Sequence, residues 1–327
     1  MQQPVLGIDI AKDTFDVSLL AEGKRWDAHF ENNPAGFQRL SRWVGKHTRV
    51  ALHACMEATG QYGDKLAEYV FQQGGQVSVV NPARIKAYGH SQLRRNKTDK
   101  ADAQLIAQYC EREKPGLWSP PPASFKDLQA LVRRLEDLQS NYQQEHNRLS
   151  AGGTNPVVMA SIRDHLQVLD EQIQRLKQAI QEHIDAYPEL KQRQKLLTSI
   201  PGIGKLTAAK VLGEVRDVCE FDNARQLSAY AGVTPRNFLS GTSVHKKARL
   251  SKTGNANLRK ALYMPAISAK HHNPIVHTFC ERLLKSGLTP MQVIGAAMHK
   301  LLHLIYGILK SGLPFDPQFL QKPTLAP

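Results

Sequence analysis

The hydrophobic period of this chain changes once, near the proline-rich stretch SPPPAS at 119–124, and that change restricts the fold more than any other feature. Before it, short apolar runs read as strands. VLGIDI is a compact β-type run, and TFDVSLL continues it with alternation at Phe15, Val17 and Leu19. A helix is predicted at about 34–46, then a strand at RVALHAC, a helix at about 61–73, a strand at QVSVVN and a helix beginning near Thr98. A strand ribbon followed by strand–helix alternation predicts an α/β fold, a mixed sheet flanked by helices.

After the prolines the period becomes helical. Leu128, Leu131, Leu135, Leu138 and Tyr142 form one stripe. Beyond the breaker AGGTNP, Ile162, Leu166, Leu169, Ile173, Leu176 and Ile180 form another. Both are heptad-like, which predicts a coiled-coil-like helical hairpin that either packs on its own domain or, preferentially, joins two copies of the chain. Past AYPEL the pattern is mainly helical to about 313. Three domains follow: 1–122, 123–187 and 188–327.

Charge narrows the partners. Lysine and arginine number 43 against 29 acids, a formal +14, which favours a polyanion such as nucleic acid. The surplus is concentrated. No acid lies between Glu68 and Asp99, where Arg84, Lys86, Arg94, Arg95 and Lys97 fall. None lies between Asp222 and Glu281, where Arg236, Lys246, Lys247, Arg249, Lys252, Arg259 and Lys260 fall. These windows read as phosphate-binding surfaces. Four scattered cysteines without a CxxC pair suit a reducing cytoplasm. No apolar run approaches the roughly 18–20 residues of a membrane span, so no membrane association is expected.

Three stretches could carry chemistry. Asp9 and Glu57 each follow an apolar run, which puts them at the carboxyl ends of strands. Asp99 and Asp102 open a helix that Thr98 can cap. Carboxylates converging on one site need a hard divalent cation, Mg²⁺ or Mn²⁺, and such a site can act on a phosphodiester. Asp13, Asp16, Asp27 and Asp64 have similar claims, and spacing does not choose among them. IPGIG at 200–204, before Lys205, fits a helix-hairpin-helix, with Gly202 and Gly204 permitting a tight turn onto phosphate. Finally, Ser240-Gly241 is a loop dipeptide amid basic residues, with Thr242 and Ser243 beside it, where a hydroxyl could attack phosphorus. The histidines at 271, 272 and 277 do not make a metal set, because neighbours on a helix point apart.

GIDIAKDTFDV, EATGQYG, NPARIKAYGHSQLRRNKTDKADAQLIA, LLTSIPGIGKLTAAKVL, AGVTPRNFLSGTSV and SKTGNANLRKALYMPA stand here in one order. In that order they resemble the insertion-sequence one-ten family of DEDD transposases across essentially the whole chain. The resemblance implies a RuvC-like domain of RNase H fold, a helical linker and a C-terminal transposase domain. It selects Asp9, Glu57, Asp99 and Asp102 as the metal-binding acids and Ser240 as the nucleophile, with Ser243 a weaker candidate. It further implies a structured bridge RNA that pairs with donor and target double-stranded DNA, and a transient phosphoserine link to DNA. The active site would be shared between subunits of a dimer or tetramer. The expectation is therefore an RNA-guided DNA recombinase. The rivals are a Holliday-junction-type metal-dependent endonuclease with Ser240 incidental, and a non-catalytic nucleic-acid scaffold.

Overall fold

The computed structural model describes residues 3–58, 60, 62–92, 98–153, 155–240 and 244–318. Within 235–250 it gives the backbone alone for 237–240 and 244–248. The chain divides at Pro120/Pro121 into two compact units, inside the proline-rich stretch.

The first unit is built on a five-stranded sheet in the order β3-β2-β1-β4-β5. Strands β1 (Val5–Ile10), β2 (Thr14–Ala21) and β3 (Lys24–Glu31) are an antiparallel ribbon. The β2–β3 turn has two residues, Glu22 and Gly23, both at positive φ, the geometry that matches the twist of paired strands. Helix α1 (Pro34–His47) follows, capped by Asn33, whose side chain accepts from the Gly36 amide at 2.8 Å. Next come β4 (His53–Glu57), α2 (Asp64–Gln72), β5 (Gln76–Val80), α3 (Pro82–Ser91) and α4 (Asp99–Glu113). Strands β4 and β5 run parallel to β1, so the sheet is mixed and helix-flanked, as the patterning predicts.

Alternation sends the two faces of the sheet to different cores. Leu6, Ile8, Ile10 and Met56 pack with Phe37 and Leu40 of α1 and Leu66 of α2. On the opposite face, Val5 and Cys55 pack with Ile106, Ala107 and Cys110 of α4. Gly7 sets the depth of that second contact. A Cβ there would lie 2.2 Å from the Ala103 carbonyl oxygen and 2.3 Å from the Ala107 amide, so only glycine lets α4 seat against β1.

The second unit contains α5 (Ala123–Ser150), α6 (Pro156–Ala186), α7 (Pro188–Thr198), α8 (Lys205–Glu214), α9 (Ala224–Tyr230), β6 (Pro235–Ser240), β7 (Val244–Leu250), α10 (Ala256–His272), α11 (Pro274–Lys285) and α12 (Pro290–Ser311). Here the expected linker takes a different place. Leu128, Val132, Leu135 and Leu138 of α5 and Leu169, Ile173, Ile180 and Ile184 of α6 are buried in one core with α7, α8, α10 and α12. The preferred expectation, that this stripe joins two copies, is not needed for its burial. Much of the apolar seam is covered by the chain itself, and Gly213 lets α8 approach Val132 closely.

Two further expectations are corrected. The mainly helical reading of this unit missed the antiparallel β6–β7 hairpin, whose residues, rich in charge and hydroxyls, lack a strong period-two apolar signal. Helix α12, which no unbroken apolar run marks, is also long and apolar enough by composition to cross a membrane. Its stripe of Val293, Ala297, Leu301, Leu302 and Ile305 is buried in this unit's core, which accounts for its apolarity. Polar residues interrupting the stripe hid it from a search for unbroken runs.

Candidate active site

Asp9 and Glu57 sit where the strand ends place them. Strands β1 and β4 pair in parallel with Ile8 opposite Met56, so the next residues, Asp9 and Glu57, are neighbours at adjacent carboxyl ends. Both are half-buried. Asp9 lies two residues beyond Gly7 and therefore on the face that α4 covers. Helix α4 packs its later turns, Ile106 to Cys110, with Val5 and Cys55, and its Ala103–Ala107 stretch lies over Gly7. Its first turn, carrying Asp99 and Asp102, is consequently directed toward the Asp9 end of β1. Thr98 caps that turn, its hydroxyl accepting from the Ala101 amide at 3.2 Å, and the helix dipole favours acids there.

All four candidate acids thus belong to one side of the sheet. Their donors are hard carboxylate oxygens, the kind Mg²⁺ and Mn²⁺ take. They are not drawn into a closed set: among the described residues, no group of three or more His, Cys, Asp and Glu side chains stands ready to hold a metal ion. Asp99 is exposed, whereas Asp102 is half-buried, as are Asp9 and Glu57.

The register adds acids that spacing did not single out. Asp16 stands opposite Asp9 and His29 opposite Asp16, making a row of ionisable side chains across four strands. His29 Nδ1 lies 3.0 Å from Asp16 Oδ2. One step along, Asp27 accepts from Gln104 Nε2 at 2.9 Å and pairs with Lys100 at 3.3 Å, which ties the first half of α4 to β3. A tight turn between β1 and β2 was the signal available for Asp16, since it puts Asp9 and Asp16 opposite one another. Behind the acids, a hydrogen bond between the buried thiols of Cys55 and Cys110 lowers the pKa of Cys110 and raises that of Cys55. His53 adds to the lowering at Cys110.

The phosphate-binding candidates are spread over both units. Arg84 and Lys86 are exposed on α3, while Arg94, Arg95 and Lys97 lie outside the described residues. In the second unit, α7, the turn at 199–204 and α8 make a helix–turn–helix. Gly202 (φ 103°) is packed on α10, where a Cβ would meet Ala269 at 2.8 Å, whereas Gly204 faces open space and caps α8 without a side-chain hydrogen bond. Exposed Lys205 follows it. Of the two glycines, then, Gly202 serves packing and Gly204 leaves helix amides open to an anion. Arg236, Arg249 and Lys252 are exposed, Arg259 donates to the Ala231 carbonyl at 3.0 Å, and Lys260 reaches Glu136 at 2.7 Å.

Ser240 is the last residue of β6, its backbone paired with Val244. The expected loop position is thus a strand end. Its side chain and those of Lys246 and Lys247 lie outside the described set, as does the whole of Ser243.

Below the hairpin, a buried carboxylate organises the segment at 251–260. Glu214 of α8 accepts from Arg133 Nε at 2.8 Å and Nη2 at 3.0 Å, from Asn255 Nδ2 at 2.7 Å and from Asn257 Nδ2 at 3.3 Å. No periodicity marks it, because its partners come from α5 and from the start of α10.

Comparison with known proteins finds transposases and a gene-inverting protein. A family model described as a transposase of the DEDD IS110 type matches residues 6–152, and one described as "Transposase IS116/IS110/IS902 family" matches 194–281. The chain is 37% identical to the pilin gene-inverting protein of Moraxella bovis, covering 97% of this chain and 98% of that one. It is 27% identical to the transposase for insertion sequence element IS1111A of Coxiella burnetii, covering 82% and 78%.

Proposed function

Because this chain belongs to the IS110 family of transposases, an enzyme family that moves or inverts DNA segments, we propose that it is a metal-dependent, RNA-guided recombinase that cuts DNA through Ser240. The observation that carries the reading is the juxtaposition of Asp9 and Glu57 at adjacent strand ends, with the Asp99–Asp102 turn of α4 packed on the same face.

Asp9, Glu57, Asp99 and Asp102 would hold a divalent cation, which would supply charge neutralisation for the phosphodiester under attack. Ser240 Oγ attacks phosphorus; the phosphoserine bond forms as the DNA P–O bond breaks, and the hydroxyl proton passes to the released DNA oxygen. Attack by a DNA hydroxyl on the phosphoserine then restores the serine. The exposed cations of α3 and of 236–260 would hold phosphates of the guide RNA and of donor and target DNA. The acids that would hold the metal and Ser240 belong to different units, so in an oligomer the two could come from different copies.

The test reconstitutes the chain with the RNA flanking its element, Mg²⁺ and labelled donor and target DNA. Label that migrates with wild-type protein on a denaturing gel, and not with Ser240→Ala, is the expected result. Cleavage that persists in Ser240→Ala without an adduct assigns the chain instead to hydrolytic nucleases.

A further inference from the structure

A cavity of about 900 Å³ opens among α5, α8, α10 and α12, next to the base of the β6–β7 hairpin. Its floor is apolar and soft. Leu250, Met264, Met291 and Ile294 line it; Met264 and Met291 are 66% and 63% exposed, and the Tyr263 hydroxyl donates to Met291 Sδ at 3.9 Å. Thioethers are polarisable and adapt to flat aromatic partners.

The rim has the opposite character. Lys210, Lys252, Arg259 and Lys260 stand against one lining carboxylate, Glu136. Burial opposes ionisation of Glu136, but hydrogen bonds from Lys210 and Lys260 outweigh it and hold the carboxyl below its ordinary range. It therefore offsets one positive charge and leaves the mouth cationic. Lys252 sits in the left-handed region (φ 54°), and its backbone N–H donates a hydrogen bond to the Gly232 carbonyl at 3.0 Å. A lysine kept in that conformation is strained, and such residues cluster at binding sites.

The walls offer hydrogen bonds. Gln139 and Gln143 of α5 line them; Gln139 Oε1 accepts from Lys210 at 3.2 Å and Gln143 Nε2 donates to Asn147 at 2.8 Å, which leaves the Gln139 amide hydrogens and the Gln143 carbonyl oxygen to a ligand. Pro265 lies inside α10 and cannot donate to the Ala261 carbonyl, and both residues line the cavity.

We propose that this cavity takes an unpaired nucleotide of the DNA substrate, with its base on the methionine floor and its phosphate against the lysine and arginine rim. Apolar floor, amide wall and cationic mouth match the three parts of a nucleotide. A stacked base pair presents no free face to such a floor, whereas an unstacked base does. The inference rests on the reading of the chain as a DNA recombinase and names where that enzyme holds a strand opened for exchange.

The test measures binding of the full chain to three labelled duplexes by fluorescence anisotropy: one fully paired, one with a single unpaired adenine, and one with that adenine replaced by an abasic site. The adenine bulge is expected to bind about 10-fold tighter than either of the others, the scale of one stacked base. Met291→Glu and Met264→Glu, both at exposed positions, are expected to bring that ratio close to one; a ratio within one protein cancels the general effect of the added charge. Equal wild-type binding to all three duplexes overturns the pocket, as does an abasic bulge that binds as well as adenine. So does a ratio that survives in both variants. A wild-type ratio of one in a protein that still forms the Ser240-dependent adduct refutes the pocket alone; absence of any adduct from wild type refutes the recombinase.

Discussion

Glu214→Ala tests whether the buried carboxylate below the hairpin holds the second unit together. Its side chain is 3% exposed and accepts four hydrogen bonds, two of them from Arg133. Removing one partner of a buried ion pair costs about 3–5 kcal/mol, because the other charge is left without compensation. Arg133 is 39% exposed at the side chain and can recover some hydration, which places the loss near the lower limit, about 3 kcal/mol. Glu214→Gln keeps the shape but turns one acceptor into a donor facing Arg133 and Asn255, for about 1–2 kcal/mol.

The distribution of tryptophan makes the assay selective. Trp26, Trp43 and Trp118 are the chain's three tryptophans, and all precede Pro120. Urea unfolding followed by tryptophan fluorescence reports the first unit, while circular dichroism is weighted toward the helices of the second. Glu214→Ala should move the dichroism transition to lower urea and leave the fluorescence transition in place. Equal shifts in both, or a dichroism shift worth less than about 1 kcal/mol, would refute the argument.

The other predictions follow the same logic. Gly7→Ala drives a methyl into the backbone of α4 and should cost the first unit about 3 kcal/mol, read as a fluorescence-detected shift with the dichroism of the second unit largely kept. Asp99→Ala should abolish strand cleavage while RNA and DNA binding stay within about twofold, since the exposed residue carries no packing; loss of binding in a filter assay would make it a structural carboxylate. Burial lowers the pKa of His299 and His303 below the ordinary 6.5. The unfolded chain therefore takes up protons first, so stability contributed by the neutral rings is present above about pH 6.5 and is lost as pH falls through the lowered values. Thermal midpoints measured from pH 7.5 to 5 should fall for wild type, with a shallower fall in His299→Gln/His303→Gln.

Much of this protein was determined by local sequence. Alternation at Phe15, Val17 and Leu19, the Thr98 cap and the prolines at 120–122 fixed strands, a helix start and a unit boundary, because these depend on contacts a few residues apart. The collinear motifs carried family membership; the four acids that spacing left open are what that resemblance implies, and they stand as a proposal. Tertiary structure decided the rest. Leu128 and Ile173 could pack on a second chain or on their own, and the heptad pattern is the same for both; the presence of α8 and its Gly213 settled the covering of α5. Gly202 reads as a phosphate-facing turn until Ala269 of α10 is found against it. Asp16 joins the row beside Asp9, and Glu214 gathers Arg133, Asn255 and Asn257, through pairings that span strands and helices far apart in the chain. Local propensity carries no information about such partners, because the energy of a buried charge depends on which groups the completed fold brings to it.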